Sequence, residues 1–303
     1  MCFKKQKYDF FWQVGQELLK KFAYLFFKTT FVLSNKKNMK EIVLITGASS
    51  GIGKATAELL AKAGYIVYGS ARNPQEVLQG VTMLAMDVRD TASVQQAIAT
   101  IIEREGRIDI LINNAGVGIT GAIEETPIEA LENAFETNFF GAVRTIQAVL
   151  PIMRSQCKGL VINITSVASY MGLPFRGGYS ASKGALSLLT ETLRMETQQF
   201  GITFCNLAPG DVATDIASRR FHTPAIEGSP YKQYAEALPL MNEDVDKGMP
   251  AEAIAQKIVQ IIRKKNPKGH YVKGKFIERL SLLLKAILPA KCFEKLLKKH
   301  YNL

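Results

Sequence analysis

From Glu41 onward, short runs rich in β-branched residues alternate with stretches of helical periodicity, and this alternation constrains the fold more than any other feature of the chain. Strands buried on both faces read as continuous apolar runs, and a helix between each pair lets successive strands lie parallel. The strand runs are Ile42 to Thr46, Ile66 to Ser70, Thr82 to Ala85, Ile110 to Asn113, Leu160 to Thr165, Ile202 to Leu207 and His270 to Lys273. Helical stretches fall at Gly53 to Ala63, Ala92 to Glu105, Ile128 to Met153, Tyr179 to Gln198 and Ala251 to Lys264. The expected fold class is α/β, a doubly wound parallel sheet of about seven strands flanked by helices on both faces.

Residues 211–250 break this rhythm. Pro224, Gly228, Pro230 and Pro239 punctuate them and no strand run occurs. So long an interruption, placed after the sixth strand at the edge where α/β sheets bind ligands, reads as a functional lid. The net charge of +11 belongs to the ends of the chain: residues 1–40 carry +7 and residues 273–303 carry +6, which leaves −2 for the body between them. A near-neutral body gives no reason to expect a nucleic-acid partner. Cys2, Cys157, Cys205 and Cys292 are far apart, as are His222, His270 and His300. Neither a disulfide framework nor a metal site is expected, and a reduced, cytoplasmic setting fits.

Three segments follow from this reading. Residues 1–38 form a basic, aromatic extension whose longest apolar run, Phe22 to Phe27, is far shorter than the ~20 residues of a spanning helix. Two accounts of it stand: a membrane-surface segment, or an artefact of a gene model whose true start is Met39. Residues 39–275 form the catalytic domain. Residues 276–303 form an amphipathic basic tail, with an apolar stretch broken at Pro289 and a second short helix beyond it.

The turn Thr46-Gly47-Ala48-Ser49-Ser50-Gly51-Ile52-Gly53 joins the first strand to the first helix. Glycines there permit close approach of backbone to a pyrophosphate, although an ordinary strand-to-helix loop has the same look. The order T-G-x-x-x-G-x-G, Asn113-Asn114-Ala115-Gly116, Ser166, Tyr179-x-x-x-Lys183 and Pro209-Gly210 resembles that of the classical short-chain dehydrogenases/reductases, over residues 41 to about 275. The resemblance implies a Rossmann-type sheet, a nicotinamide cofactor, and assembly as a homodimer or homotetramer. It assigns Asp87 and Val88 to the adenine, Asn114, Ala115 and Gly116 to the central strand end beside the cofactor, and Thr214 after Pro209-Gly210 to the nicotinamide carboxamide. Asp87 can equally cap the helix that begins near Thr91.

Cofactor choice is read at the end of the second strand. Ala71 stands where an NAD-binding site places an acid for the ribose 2′-hydroxyl, and Arg72 follows it. NADP(H) is therefore expected, with Arg72 and Ser70 on the 2′-phosphate; a merely solvated Arg72 is the bland account.

Hydride transfer to a carbonyl builds negative charge on oxygen, so the site needs a proton donor and a hydrogen bond at that atom. Tyr179 and Lys183 are four apart on a helix and share a face, where the ammonium can stabilise the phenolate. Alone, such a pair is common on helix surfaces. Ser166, thirteen residues before Tyr179 at a strand end, supplies the hydrogen bond, with Thr165 and Ser169 read as packing or loop residues. Asn138 sits mid-helix, where Asn is unfavourable. By resemblance it binds a water that links Lys183 to solvent, and otherwise it is a buried Asn satisfied by backbone.

Met171-Gly172-Leu173-Pro174-Phe175, after Ser166, is expected to wall the substrate cleft, and its apolar character suggests an apolar ligand. This segment, Arg72 and the long lid resemble the branch of the family that holds 17β-hydroxysteroid dehydrogenases, retinol dehydrogenases and keto-lipid reductases, and the resemblance implies NADPH-dependent interconversion of a ketone or aldehyde and an alcohol on a steroid, retinoid or long-chain keto lipid. The alternatives are a broad reductase of small carbonyls and a non-catalytic NADPH-sensing protein. The basic tails suggest peripheral contact with a membrane surface, against which stands simple packing of the tail over the cleft or a partner subunit.

Overall fold

The structure, a computed structural model, describes residues 40–214, 220–224 and 227–303. The expected N-terminal extension lies outside the described residues. The strands are β1 Ile42–Thr46, β2 Ile66–Ala71, β3 Val81–Ala85, β4 Ile110–Asn113, β5 Gly159–Ile164, β6 Ile202–Pro209 and β7 His270–Lys273. They form one sheet in the order β7-β6-β5-β4-β1-β2-β3, and every neighbouring pair is parallel. All seven expected strand runs are present.

Helices α1 Gly51–Lys62, α2 Thr91–Glu105, α3 Ile128–Phe135, α4 Gly141–Gln156, α5 Gly177–Glu196, α6 Lys232–Asp246 and α7 Ala251–Ile262 follow in chain order. Successive side chains of β1 point to opposite faces of the sheet. Val43 and Ile45 pack with Leu60 of α1 and Ile258 of α7, while Ile42 and Leu44 pack with Ile98 of α2 and Val149 of α4. A strand buried on both faces is thus explained by helices on both sides. The strand order reverses direction between β1 and β4, which opens a crevice at their carboxyl ends.

A buried row of asparagines crosses the sheet near that end. Asn113 donates to Asn163 at 2.8 Å, Asn163 donates to Thr190 of α5 at 2.8 Å, and Asn206 donates to the Ser187 hydroxyl of α5 at 3.1 Å. Thr145 of α4 donates to Asn113 at 2.6 Å. Buried amides carry a penalty unless paired, so a one-residue slip of β4, β5 or β6 would strand them. This row fixes the register of the strands beneath the site and pins α4 and α5 to them.

The expected helix from Ile128 to Met153 is one helical run with a wide π turn at Glu136–Phe140, between α3 and α4. Pro151 is accommodated inside α4. The lid is not the strandless loop that its prolines suggest. It contains the fifteen-residue α6, and short parallel pairings join Val212–Ala213 to Met249–Pro250 and Ile119–Thr120 to Phe221–His222. Pro239 lies within α6, and the buried face Tyr234, Ala237 and Met241 holds the helix in place through packing.

The tail is two helices, α8 Phe276–Ile287 and α9 Ala290–His300, with Pro289 at the break. Tyr301 packs with Tyr234, Ala237 and Met241 of the lid. Glu278 accepts from the Asp211 amide at 2.7 Å, and a Cβ on Gly210 would lie 2.0 Å from the Glu278 carboxylate. Tail and lid are therefore joined by both apolar and polar contacts. Among the described residues no helix is long and apolar enough to cross a membrane, and no cluster of three or more His, Cys, Asp or Glu could hold a metal ion.

Candidate active site

A cleft of about 410 Å³ opens at the carboxyl ends of β1, β2, β4, β5 and β6. Its cofactor end is built on the β1–α1 turn. Gly47 and Gly51 take the left-handed φ values of 66° and 52° that glycine tolerates. Gly53 is required for a different reason: a Cβ there would lie 2.2 Å from the Gly47 carbonyl oxygen and 2.5 Å from Asn114 Nδ2. Asn114 holds the turn from the side, donating to the carbonyls of Thr46 at 3.0 Å and Gly47 at 2.9 Å. Thr46 Oγ1 in turn accepts from the amides of Asn114 and Ala115. No acidic residue occupies the first turn of α1, so its positive end faces the cleft uncompensated. A pyrophosphate fits this cradle by shape and by charge.

Gly47, Ser49, Ser50, Gly51, Ile52, Arg72, Asp87, Val88, Asn114, Ala115, Gly116, Pro209, Gly210 and Thr214 all line the cleft. Gly53 and Ser70 do not. Gly53 acts behind the turn, and Ser70 is 1% exposed with its backbone carbonyl accepting from Ala48. The α2 cap is Asp90, whose side chain accepts from the Ala92 amide at 2.9 Å. Asp87 instead pairs with Arg89 at 2.7 Å, and those hydrogen bonds hold its carboxyl below the usual carboxylate range. Thr214 stands beside Gly51, where a Cβ on that glycine would meet Thr214 Cγ2 at 3.0 Å.

At the reacting end, Ser166 follows β5 and caps a short helical turn, accepting from the Ala168 amide at 3.1 Å. Tyr179 is the third residue of α5 and Lys183 lies one turn on. Ser166, Tyr179 and Lys183 are 8%, 9% and 4% exposed and line the cleft together. Gly178 lets α5 close onto α3, since a Cβ there would lie 2.5 Å from Leu131. Thr165 also lines the cleft but donates to the Leu207 carbonyl, while Ser169, which does not line it, donates to the Ser166 carbonyl.

Burial pushes the Tyr179 phenol above its ordinary pKa, opposed by the charge of Arg176, a hydrogen bond with Ser166 and the charge of Arg220. Burial pushes the Lys183 ammonium down to about 8. Lys183 donates to the Ile164 carbonyl at 2.9 Å. Asn138 lies in the π turn, donates to the Val117 carbonyl at 3.0 Å and to Ser182 at 3.0 Å, and accepts from the Val117 amide at 2.8 Å. It does not line the cleft itself; a Cβ on Gly116 would sit 3.1 Å from Asn138 Oδ1 and 3.2 Å from Lys183 Nζ, so the pair flank that glycine.

Two features depart from the sequence expectation. The segment 171–175 does not line the cleft. Leu173 and Phe175 pack beneath the lid on Tyr234 and Tyr301, with Phe175 held at a φ of 57°. The lid occupies the apolar wall, and the substrate end of the cleft instead presents Arg176, Asp211 and Arg220 beside Val117, Ile119 and Val245. Arg176 stands three residues before Tyr179, a helical spacing that could have drawn notice. Arg220 lies in the lid, where no periodic signal marks it.

Comparison with known proteins gives a consistent picture. The model of the short chain dehydrogenase family matches residues 41–225. A 3-ketodihydrosphingosine reductase of Bacteroides thetaiotaomicron is 40% identical over 253 residues, covering 82% of this chain and 93% of that protein. An NADPH-dependent 3-dehydrocapnine reductase of Ornithobacterium rhinotracheale is 31% identical over 278 residues, covering 84% of this chain and 95% of that protein. Among solved structures, a short-chain dehydrogenase from Streptomyces avermitilis superposes with a TM-score of 0.73 at 29% identity, covering 82% of this chain and 93% of that one.

Proposed function

Because the chain belongs to the short chain dehydrogenase family and is an oxidoreductase, we propose that it reduces a ketone on an apolar, lipid-like substrate with NADPH, Tyr179 being the proton donor. The observation that carries this reading is the convergence of Ser166, Tyr179 and Lys183, each nearly buried, on one wall of a cleft whose other end is a dinucleotide cradle. NADPH supplies a hydride to the carbonyl carbon when bound. The Ser166 hydroxyl and the Tyr179 phenol hold the carbonyl oxygen, and the phenol gives up its proton as charge gathers there. Lys183 holds the nicotinamide ribose and supports the phenolate. Asn138, fixed by three hydrogen bonds in the π turn, positions a water that carries the replacing proton from solvent to Lys183.

Preference for NADPH rests on the absence of an acid at Ala71 and on Arg72, which lines the cleft at the end of β2. The relatives named for 3-ketodihydrosphingosine and 3-dehydrocapnine support a long-chain keto lipid. Mixing the protein with NADPH and a panel of long-chain and short carbonyls, while following absorbance of the reduced cofactor, tests the reading. Turnover of long-chain ketones supports it; tight NADPH binding without turnover of any carbonyl contradicts it.

A specific observation extends the proposal to the membrane surface. Although α9 and Tyr301 pack on the lid, Phe276, Ile277 and Ile287 of α8 are 78%, 62% and 64% exposed, within residues 273–303, which carry eight Lys or Arg against two Glu. Exposed apolar side chains ringed by basic ones suit an anionic lipid interface. Co-sedimentation with anionic vesicles should be salt-sensitive and lost in a Phe276→Glu, Ile277→Glu, Ile287→Glu variant. Unchanged sedimentation of that variant would rule α8 out as the contact.

A further inference from the structure

The substrate end of the cleft carries more positive charge than carbonyl reduction requires. Arg220 is 6% exposed and its Nη1 is buried without a partner. Its stem is wedged against the backbone, since a Cβ on Gly118 would lie 2.9 Å from Arg220 Cγ and 3.2 Å from Nε. Arg176 sits beside it, its guanidinium 5.5 Å from the centre of the Tyr179 ring. Among the described residues, the carboxylate paired with Arg176 is Asp211, 3.9 Å from Arg176 Nη1 and beyond hydrogen-bond distance. Glu278 lies behind Asp211, accepting from the Asp211 and Lys275 amides, and burial raises its carboxyl above the ordinary range. Burial lowers the Arg176 pKa, but Tyr301, through its charge and a hydrogen bond, and the charge of Asp211 raise it overall, whereas Arg220 keeps an unused donor. Burial lowers the pKa of Arg220, and the charge of Arg176 lowers it further, so the two cations oppose each other in the protein alone.

A buried guanidinium with an unused donor, held against a second one, is a poor arrangement for stability and a good one for an oxyanion. We propose that Arg176 and Arg220 recognise an anionic group on the carbonyl substrate, a carboxylate, sulfonate or phosphoryl group carried a few bonds from the carbonyl carbon. The proximity of Arg176 to the Tyr179 ring sets that spacing, because the carbonyl oxygen binds at the phenol. The apolar chain then runs along Val117, Ile119 and Val245. This inference rests on the reductase reading above and narrows its substrate class.

A matched set of long-chain ketones tests it: a β-ketophosphonate, its neutral dimethyl ester, and an α-aminoketone of equal length, each assayed with NADPH. The intact enzyme should prefer the phosphonate to the ester in kcat/KM by about 10-fold or more, the scale of a charge-assisted hydrogen bond. Arg220→Gln should drive that ratio toward one by raising KM for the phosphonate, and Arg220→Lys should restore part of it. Equal use of phosphonate and ester, or a preference for the aminoketone, would overturn the inference and leave the reductase reading intact. A rise in KM for NADPH alone in Arg220→Gln would overturn it too, by placing Arg220 on the cofactor. Should no ketone turn over, the reductase reading fails separately. Calorimetric titration of the phosphonate into protein holding NADP⁺ then decides: binding that Arg220→Gln abolishes supports the anion site, and no binding refutes it.

Discussion

Replacing Lys183 with Met should stabilise the cofactor-free protein near neutral pH, although it removes a residue of the active site. The Lys183 side chain is 4% exposed, and burial lowers its pKa from 10.5 to about 8. A shift of that size corresponds to about 3 kcal/mol of unfavourable free energy for the charged form. Below a pH of about 8 the lysine is protonated in both folded and unfolded chains, and the full cost is present. Between the folded and unfolded pKa values the unfolded chain binds the extra proton, so stability rises with pH and the cost disappears above the unfolded value. Met fills a similar volume and leaves the Ile164 carbonyl without its 2.9 Å donor, a loss of about 1 kcal/mol. The net expectation is a gain of about 2 kcal/mol near neutral pH that vanishes or reverses at strongly alkaline pH. Urea unfolding of both proteins without cofactor, at two pH values, measures it. A variant that is less stable than the parent near neutral pH would refute the reasoning, for it would mean that the ammonium is solvated or paired in the folded chain.

Arg72→Ala should lower the preference for NADPH over NADH by about 10- to 100-fold, the equivalent of one charge-assisted contact to a phosphate, read from kcat/KM with each cofactor. Unchanged selectivity would remove Arg72 from the 2′-phosphate. Gly53→Ala should destabilise the protein by roughly 1–3 kcal/mol and weaken NADPH binding, because its Cβ would lie 2.2 Å from the Gly47 carbonyl oxygen and force the turn to move. Thermal unfolding and fluorescence titration with NADPH measure the two effects, and a variant normal in both would show that the turn is looser than its packing indicates.

The parallel sheet was legible because most of its strands are rich in apolar and β-branched residues and helical stretches separate nearly all of them. The candidate reacting residues were legible because Tyr179 and Lys183, one helical turn apart, stand with Ser166 and the glycine-rich turn in an order that resembles the family's. Asn138 was marked as a misfit in a helix and by its resemblance to the family's water-binding Asn; the π turn that accommodates it depends on packing that no local pattern records. The lid helix α6 was hidden because Pro239 interrupts its pattern, and the contacts of Tyr234 and Met241 with Tyr301, which support it, come from the far end of the chain. The misplaced wall at 171–175 has the same origin. An apolar segment next to a serine that lines a cleft faces either the cleft or protein, and only the fold shows that Tyr234 and Tyr301 cover it. Arg176 and Arg220 draw their importance from a juxtaposition across 44 positions of sequence, which composition and periodicity do not register.

The proposed NADPH-dependent reduction turns on proton donation by Tyr179. Steady-state turnover of a long-chain ketone by the intact chain and by Tyr179→Phe, with NADPH affinity measured on both, tests it most directly. In the variant kcat should fall at least ~100-fold, the scale of a lost general acid, with nearly intact NADPH binding. Near-normal turnover by Tyr179→Phe would contradict it.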